Sequence, residues 1–212
     1  MQDTLQRARE LLPAIIITVL SMIQALALEL YWSRFQEAEF LWQGGFDAVI
    51  GWMQFGLLLL GIIEIWLLYV SLMLRFSWIP SMADTTVPFI IGLLEFAMID
   101  LMGPETAGPW FLILGLLFAL ITTSTRLMLR KARRDAHNSW FFSRLDPYDR
   151  KDYFADVALV SALILLGVLL IVLDVGPWFT IGSLAIGLCA MSYQILVTHH
   201  FWLPFQEEEK HP

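Results

Sequence analysis

The sequence predicts an all-α integral membrane protein, a bundle of six transmembrane helices with both termini cytoplasmic. Three observations carry that prediction. Of the 212 residues, 58% are hydrophobic and 16% are charged, whereas soluble domains run at about 45–50% apolar and about 25% charged. A soluble fold of this length would lack the polar residues to cover its surface. Six stretches are apolar over about the 20 residues that a hydrocarbon core of about 30 Å requires. The basic residues, finally, fall almost entirely on one side of those stretches. The same composition excludes disorder and a collagen-like chain, and the single Cys189 excludes a disulfide framework.

The predicted spans cover about 12–32, 48–74, 87–102, 110–129, 157–173 and 178–198. The third and fifth are short and need their flanks to complete a crossing. Proline and glycine mark the breaks: Pro80 and Pro88 around the second connection, Gly103-Pro104 and Gly108-Pro109 around the third, Gly176-Pro177 in the fifth. Proline just inside a helix start costs little, because the first amides have no intrahelical partner. The first span is too long for the apolar core of a cleaved leader and lacks a small-residue cleavage site after it, so it is expected to remain as a helix.

Orientation follows from Lys and Arg. With six spans, one side holds Arg7, Arg9, Arg75, Arg126, Arg130, Lys131, Arg133, Arg134, Arg144, Arg150, Lys151 and Lys210, and the other holds Arg34 alone. The basic side, with both termini, is expected to face the cytoplasm of a cell or inner membrane. The opposite face carries Glu37, Glu39, Asp47 and Glu105.

A tetrapeptide, Gly-Pro-Trp-Phe, occurs at 108–111 and again at 176–179, each copy opening a helix that follows an acid-bearing one. Gln24 and Glu29 are spaced as Glu95 and Asp100 are, and Leu72-Met73-Leu74-Arg75 echoes Leu127-Met128-Leu129-Arg130. Two readings fit: three parallel helical hairpins of one origin, or the chance likeness of apolar segments. Hairpins would disfavour the inverted repeats of many secondary transporters.

Ionisable groups inside spans are expensive, on the order of 2.5–3.5 kcal/mol at a helix centre. Glu64 lies eleven residues from Arg75, and Glu95 eleven from Asp84. Both are therefore roughly 16 Å deep, near the midplane. Their helices are consecutive and antiparallel, which predicts that they are neighbours. Two carboxyls at one depth cannot both stay charged cheaply, so at least one is expected to hold a proton at neutral pH. That is the equipment of a proton relay or cation site; the alternative is one protonated carboxyl bonding across a helix interface. Asp100, Asp174 and Glu29 lie nearer the outer surface, as an acidic vestibule that concentrates cations or as hydrated helix ends. Arg126 is expected to snorkel, or to pair with an acid such as Glu64. The hydroxyl run Thr122-Thr123-Ser124-Thr125 either lines a polar path or bonds back onto its own helix.

The connection 130–156 begins with Arg130, Lys131, Arg133 and Arg134 and continues through Trp140-Phe141-Phe142. Basic residues beside a span attract anionic lipid headgroups, and aromatics suit an interfacial helix. The same segment is also a candidate docking surface for a membrane-complex partner. Its acids dilute the positive field, which argues against nucleic acid. No metal, cofactor or catalytic motif is legible: HExxH, CxxC, Walker A and Gly-x-Ser-x-Gly are all missing from the sequence. His199 and His200 are adjacent on one helix and point about 100° apart, a poor chelate. Cys189 is expected to pack in its helix, and the nine tryptophans to form an aromatic belt. The expected function is thus a channel or carrier for protons or small cations, narrow enough that homo-oligomerisation fits it. A membrane scaffold or partner subunit is the alternative, and a lipid-modifying enzyme trails both.

Overall fold

The protein is seen here as a computed structural model that describes residues 2–76, 78, 81–144, 150–173 and 176–200. These residues are helical almost throughout, and none of them lies in a strand. The long helices are α1 (Gln2–Glu37), α2 (Gly45–Arg75), α3 (Met82–Asp100) and α4 (Ala107–Arg134). A short α5 (Ser139–Arg144) then precedes α6 (Arg150–Val172) and α7 (Pro177–His200). Among the described residues, five helices are long and apolar enough to cross a membrane: Leu11–Glu37, Gly45–Arg75, Pro104–Arg134, Tyr153–Val172 and Pro177–Leu196. They coincide with five of the six expected spans. The third expected span, 87–102, falls on α3, which carries Asp84, Glu95 and Asp100 in 19 residues.

The helices outrun the spans read from hydropathy. α3 starts five residues before 87, α6 seven before 157, and α4 continues to Arg134. Hydropathy marks where lipid contact ends, whereas the backbone ladder continues until its amides and carbonyls find other partners. The described residues of the expected connection 130–156 are accordingly mostly helix, with a 3₁₀ turn at Ala136–Asn138 between α4 and α5. Ser81 starts α3, its amide donating to Asp84 Oδ2 at 2.7 Å, and Pro88 sits inside that helix.

Side-chain bonds show which helix ends share a side. Lys131 near the end of α4 donates to Asp84 at the start of α3, at 2.8 Å. Arg126 of α4 reaches Asp156 near the start of α6, also at 2.8 Å. At the other side, Arg34 of α1 donates to the Met102 carbonyl at 2.8 Å, and the Gly103 amide donates to Gln54 Oε1 of α2 at 3.1 Å. Phe46 of α2 meets Trp178 of α7 there with ring centroids 4.9 Å apart. Successive long helices therefore alternate in direction. One end of the molecule is basic, and the other carries Glu37, Glu39, Asp47 and Glu105.

Around the molecule, α7 packs on α2, α2 on α1, α1 on α3, α3 on α4, and α4 on α6. α6 and α7 touch only slightly, as do α2 and α3. Sequence neighbours α1–α2 and α3–α4 thus form packed hairpins, but α6–α7 does not. The two Gly-Pro-Trp-Phe copies also differ: Trp110 and Phe111 are fully buried, while Trp178 is 72% exposed. The tightest seam joins α4 to α6. A Cβ on Gly167 would stand 2.8 Å from the Leu112 amide nitrogen, and one on Gly115 would stand 3.2 Å from that of Ile164. Small residues let membrane helices approach to this distance. At the acidic end Trp32, Phe35, Trp42, Trp52 and Phe55 interlock edge to face or stacked. The exposed rings of Trp32, Trp42 and Trp52 suit an interfacial belt; Trp110 departs from that expectation and belongs to the core.

Candidate functional site

α2 places Leu57, Gly61, Glu64, Leu68, Ser71 and Arg75 along one side, at alternating steps of four and three residues. That spacing keeps all six on one helical face. α4 does the same with Leu114, Leu117, Phe118, Ile121, Thr122, Thr125 and Leu129. The two faces look onto a cavity of about 230 Å³, closed further by Glu95 and Met98 of α3, Ala155 and Asp156 of α6, and Met191, Tyr193 and Gln194 of α7. The cavity runs from the middle of the molecule to its basic end, and its walls are mainly aliphatic. At the acidic end Phe55, Ile99, Met102, Trp110 and Phe111 fill the interior instead.

Both mid-helix carboxyls reach this cavity. Glu95 is completely buried, and the Gln24 amide of α1 donates to its two oxygens at 3.0 and 3.2 Å. Glu64 is 8% exposed, and its Oε2 meets no hydrogen-bond partner among the described residues. The expected neighbour relation thus arises differently: α2 and α3 hardly touch, and the carboxyls share a cavity rather than a helix seam. Thr125 Oγ1 is likewise buried without a partner on the same wall. The rest of the hydroxyl run divides, Thr122 donating to the Phe118 carbonyl at 2.8 Å and Ser124 to that of Ile121 at 2.9 Å.

Arg126 pairs with Asp156 rather than with Glu64, and its guanidinium lies 4.2 Å from the centre of the Tyr153 ring. Asp156 lines the cavity, so this pair stands at the basic rim. Beside it, Phe76 meets Phe141 at 4.9 Å and Phe142 at 5.4 Å, and Arg75 lies 5.3 Å from the Phe141 centroid. Those phenylalanines of α5 therefore fold back onto the end of α2.

The other expected site residues lie apart. Glu29 and Asp100 are exposed and off the cavity walls, and Asp174 lies outside the described residues. Arg130, Arg133 and Arg134 are exposed, the Arg133 guanidinium 5.3 Å from the Phe142 ring centre. Lys131 is engaged by Asp84 and by Ser81 Oγ at 2.7 Å. The Trp140 side chain lies outside the described residues, as do those of His199 and His200. Cys189 is exposed rather than packed. Among the described residues no three His, Cys, Asp or Glu gather to hold a metal.

Sequence reasoning left out Gln24 and Asp156 as site residues. Gln24 carried a signal, a polar residue inside the first span at the register of Glu95. Asp156 fell one residue outside the expected fifth span and so passed for loop. Comparison with known proteins adds nothing to the geometry: no protein family, no curated protein and no solved structure matches the chain.

Proposed function

We propose that this chain is a six-span protein of the cell membrane, both termini cytoplasmic, that carries protons or small cations through Glu64 and Glu95. The observation that carries the reading is the pair of buried carboxyls on the wall of one cavity. Carboxyls inside a membrane protein mark ion or proton paths because their cost must be offset by use. α3, at 19 residues, is about 28 Å long and serves as the sixth span, with Glu95 turned to the interior, Asp84 at the basic end and Asp100 exposed at the acidic end. The basic end is the cytoplasmic one by the distribution of Lys and Arg. A cavity that reaches the basic end while the acidic end is packed favours a carrier over an open pore. Glu29, Asp100 and Asp174 then act as a cation-gathering outer surface rather than as part of the path.

The test is proton flux into liposomes holding the purified protein, driven by a pH gradient. Wild type is expected to conduct, and Glu64→Gln to conduct at least tenfold less. Equal flux in the two makes Glu64 structural. A second reading, a scaffold docking a partner or anionic lipid through its cytoplasmic connection, is favoured by the exposed Arg130, Arg133 and Arg134. It takes over if no gradient drives flux and a stable complex survives native purification.

A further inference from the structure

The cavity wall is ill suited to a bare metal cation. Hard cations need about six to eight oxygens, and transporters commonly supply them by unwinding helices at the site. Here α2 and α4 run unbroken past Glu64 and Thr125, so their carbonyls stay in the helical ladder. Most of the wall is Leu, Ile, Met and Phe. The volume of about 230 Å³ far exceeds the roughly 10–15 Å³ that one water needs, and is more than a stripped ion requires. A lone carboxylate oxygen facing aliphatic walls instead matches a molecule with an apolar body and one positive, hydrogen-donating head. Glu64 Oε2, more than nine-tenths buried and without a donor, is the acceptor such a head would meet. Thr125 Oγ1, also unpartnered, offers a second.

The seam between α6 and α7 supplies an independent observation. These helices touch only slightly, and the cavity residues they contribute near the basic end include Ala155 and Tyr193, both exposed, the latter by 66%. The cavity therefore opens sideways, toward the surface that lipid covers in a membrane. A ligand that partitions into the bilayer would enter there without crossing the charged rim.

We infer that the cavity takes a hydrophobic organic amine in its ammonium form, entering from the bilayer between α6 and α7 and resting its head on Glu64. The inference rests on the carrier reading above and narrows its cation to an organic ammonium in place of a bare metal ion. It is tested on the intact purified protein with 4-phenylbutylamine and its neutral counterpart 4-phenylbutanol, by equilibrium titration. The amine is expected to bind saturably and at least tenfold more tightly than the alcohol. Glu64→Gln should erase that difference, and Ala155→Trp, at the lateral opening, should slow amine association several-fold in rapid-mixing kinetics. Absence of saturable amine binding, or equal binding of amine and alcohol to wild type, overturns the inference without recourse to any variant. Proton flux in the same preparation separates the two proposals. Flux that depends on Glu64 while the amine fails to bind overturns the amine site alone. Amine binding without flux upholds the site and overturns the carrier.

Discussion

Glu64 and Glu95 meet the same cavity with different partners, and this divides their expected behaviour. Glu95 is anchored by Gln24, so Glu95→Gln keeps a hydrogen-bonding partner there and should leave stability nearly unchanged. Gln24→Leu strands the Glu95 carboxyl in the interior. Hydrogen bonds between membrane helices are worth about 0.6 kcal/mol and up to about 1.7, so Gln24→Leu should cost about 1 kcal/mol, read as an earlier midpoint in denaturant titration. The Arg126–Asp156 pair, with side chains 16% and 18% exposed, should show a coupling of about 1 kcal/mol in a double-mutant cycle with Arg126→Met and Asp156→Asn. That both glutamates lie mid-helix was legible because residue counts along a helix convert directly into distance. The partner of Glu95 was not, since α1 brings Gln24 to it only through packing that apolar composition does not encode.

Elements pack by shape, and the α4–α6 seam depends on it most. Gly167→Ala brings a Cβ against the backbone of Leu112, so trimming the Leu112 side chain cannot relieve it. Overpacking of this kind costs about 1–3 kcal/mol, and Gly167→Ala should lower the denaturation midpoint with or without Leu112→Ala. Gly187→Ala is the contrast: its Cβ would meet only the Leu57 side-chain tip at 2.9 Å, which can swing into the cavity, and the cost should stay under about 1 kcal/mol. Apolar stretches announced the spans because burial in lipid needs only hydropathy and length. The Gly-Pro-Trp-Phe repeat carries only local information for the same reason: identical residues open α4 and α7, yet Trp110 is core and Trp178 is surface. Local sequence fixes a helix start, whereas the neighbour it faces depends on the whole assembly. The interfacial helix expected around Phe141 and Phe142 turned inward because Phe76 offers them apolar contact at the end of α2.

On the scale of the whole molecule, alternating helices separate a basic end from an acidic one and leave the cavity open toward the first. In a Cys189→Ser background, a cysteine placed at Ser139 should react with a membrane-impermeant maleimide only from the cytoplasmic side, and one at Gln43 only from the outside. Labelling of both from one side would break the six-span arrangement. Transport of charge by the buried carboxyls of the cavity is read out by proton flux in liposomes. Glu64→Gln, Glu95→Gln and the paired exterior change Glu29→Gln with Asp100→Asn are to be compared at equal protein density. Glu64→Gln and Glu95→Gln should each cut flux at least tenfold, while the exterior pair should leave it within about twofold at physiological salt, where exposed charges are screened. Flux that survives both cavity substitutions, or falls only with the exterior pair, would contradict transport by the cavity carboxyls.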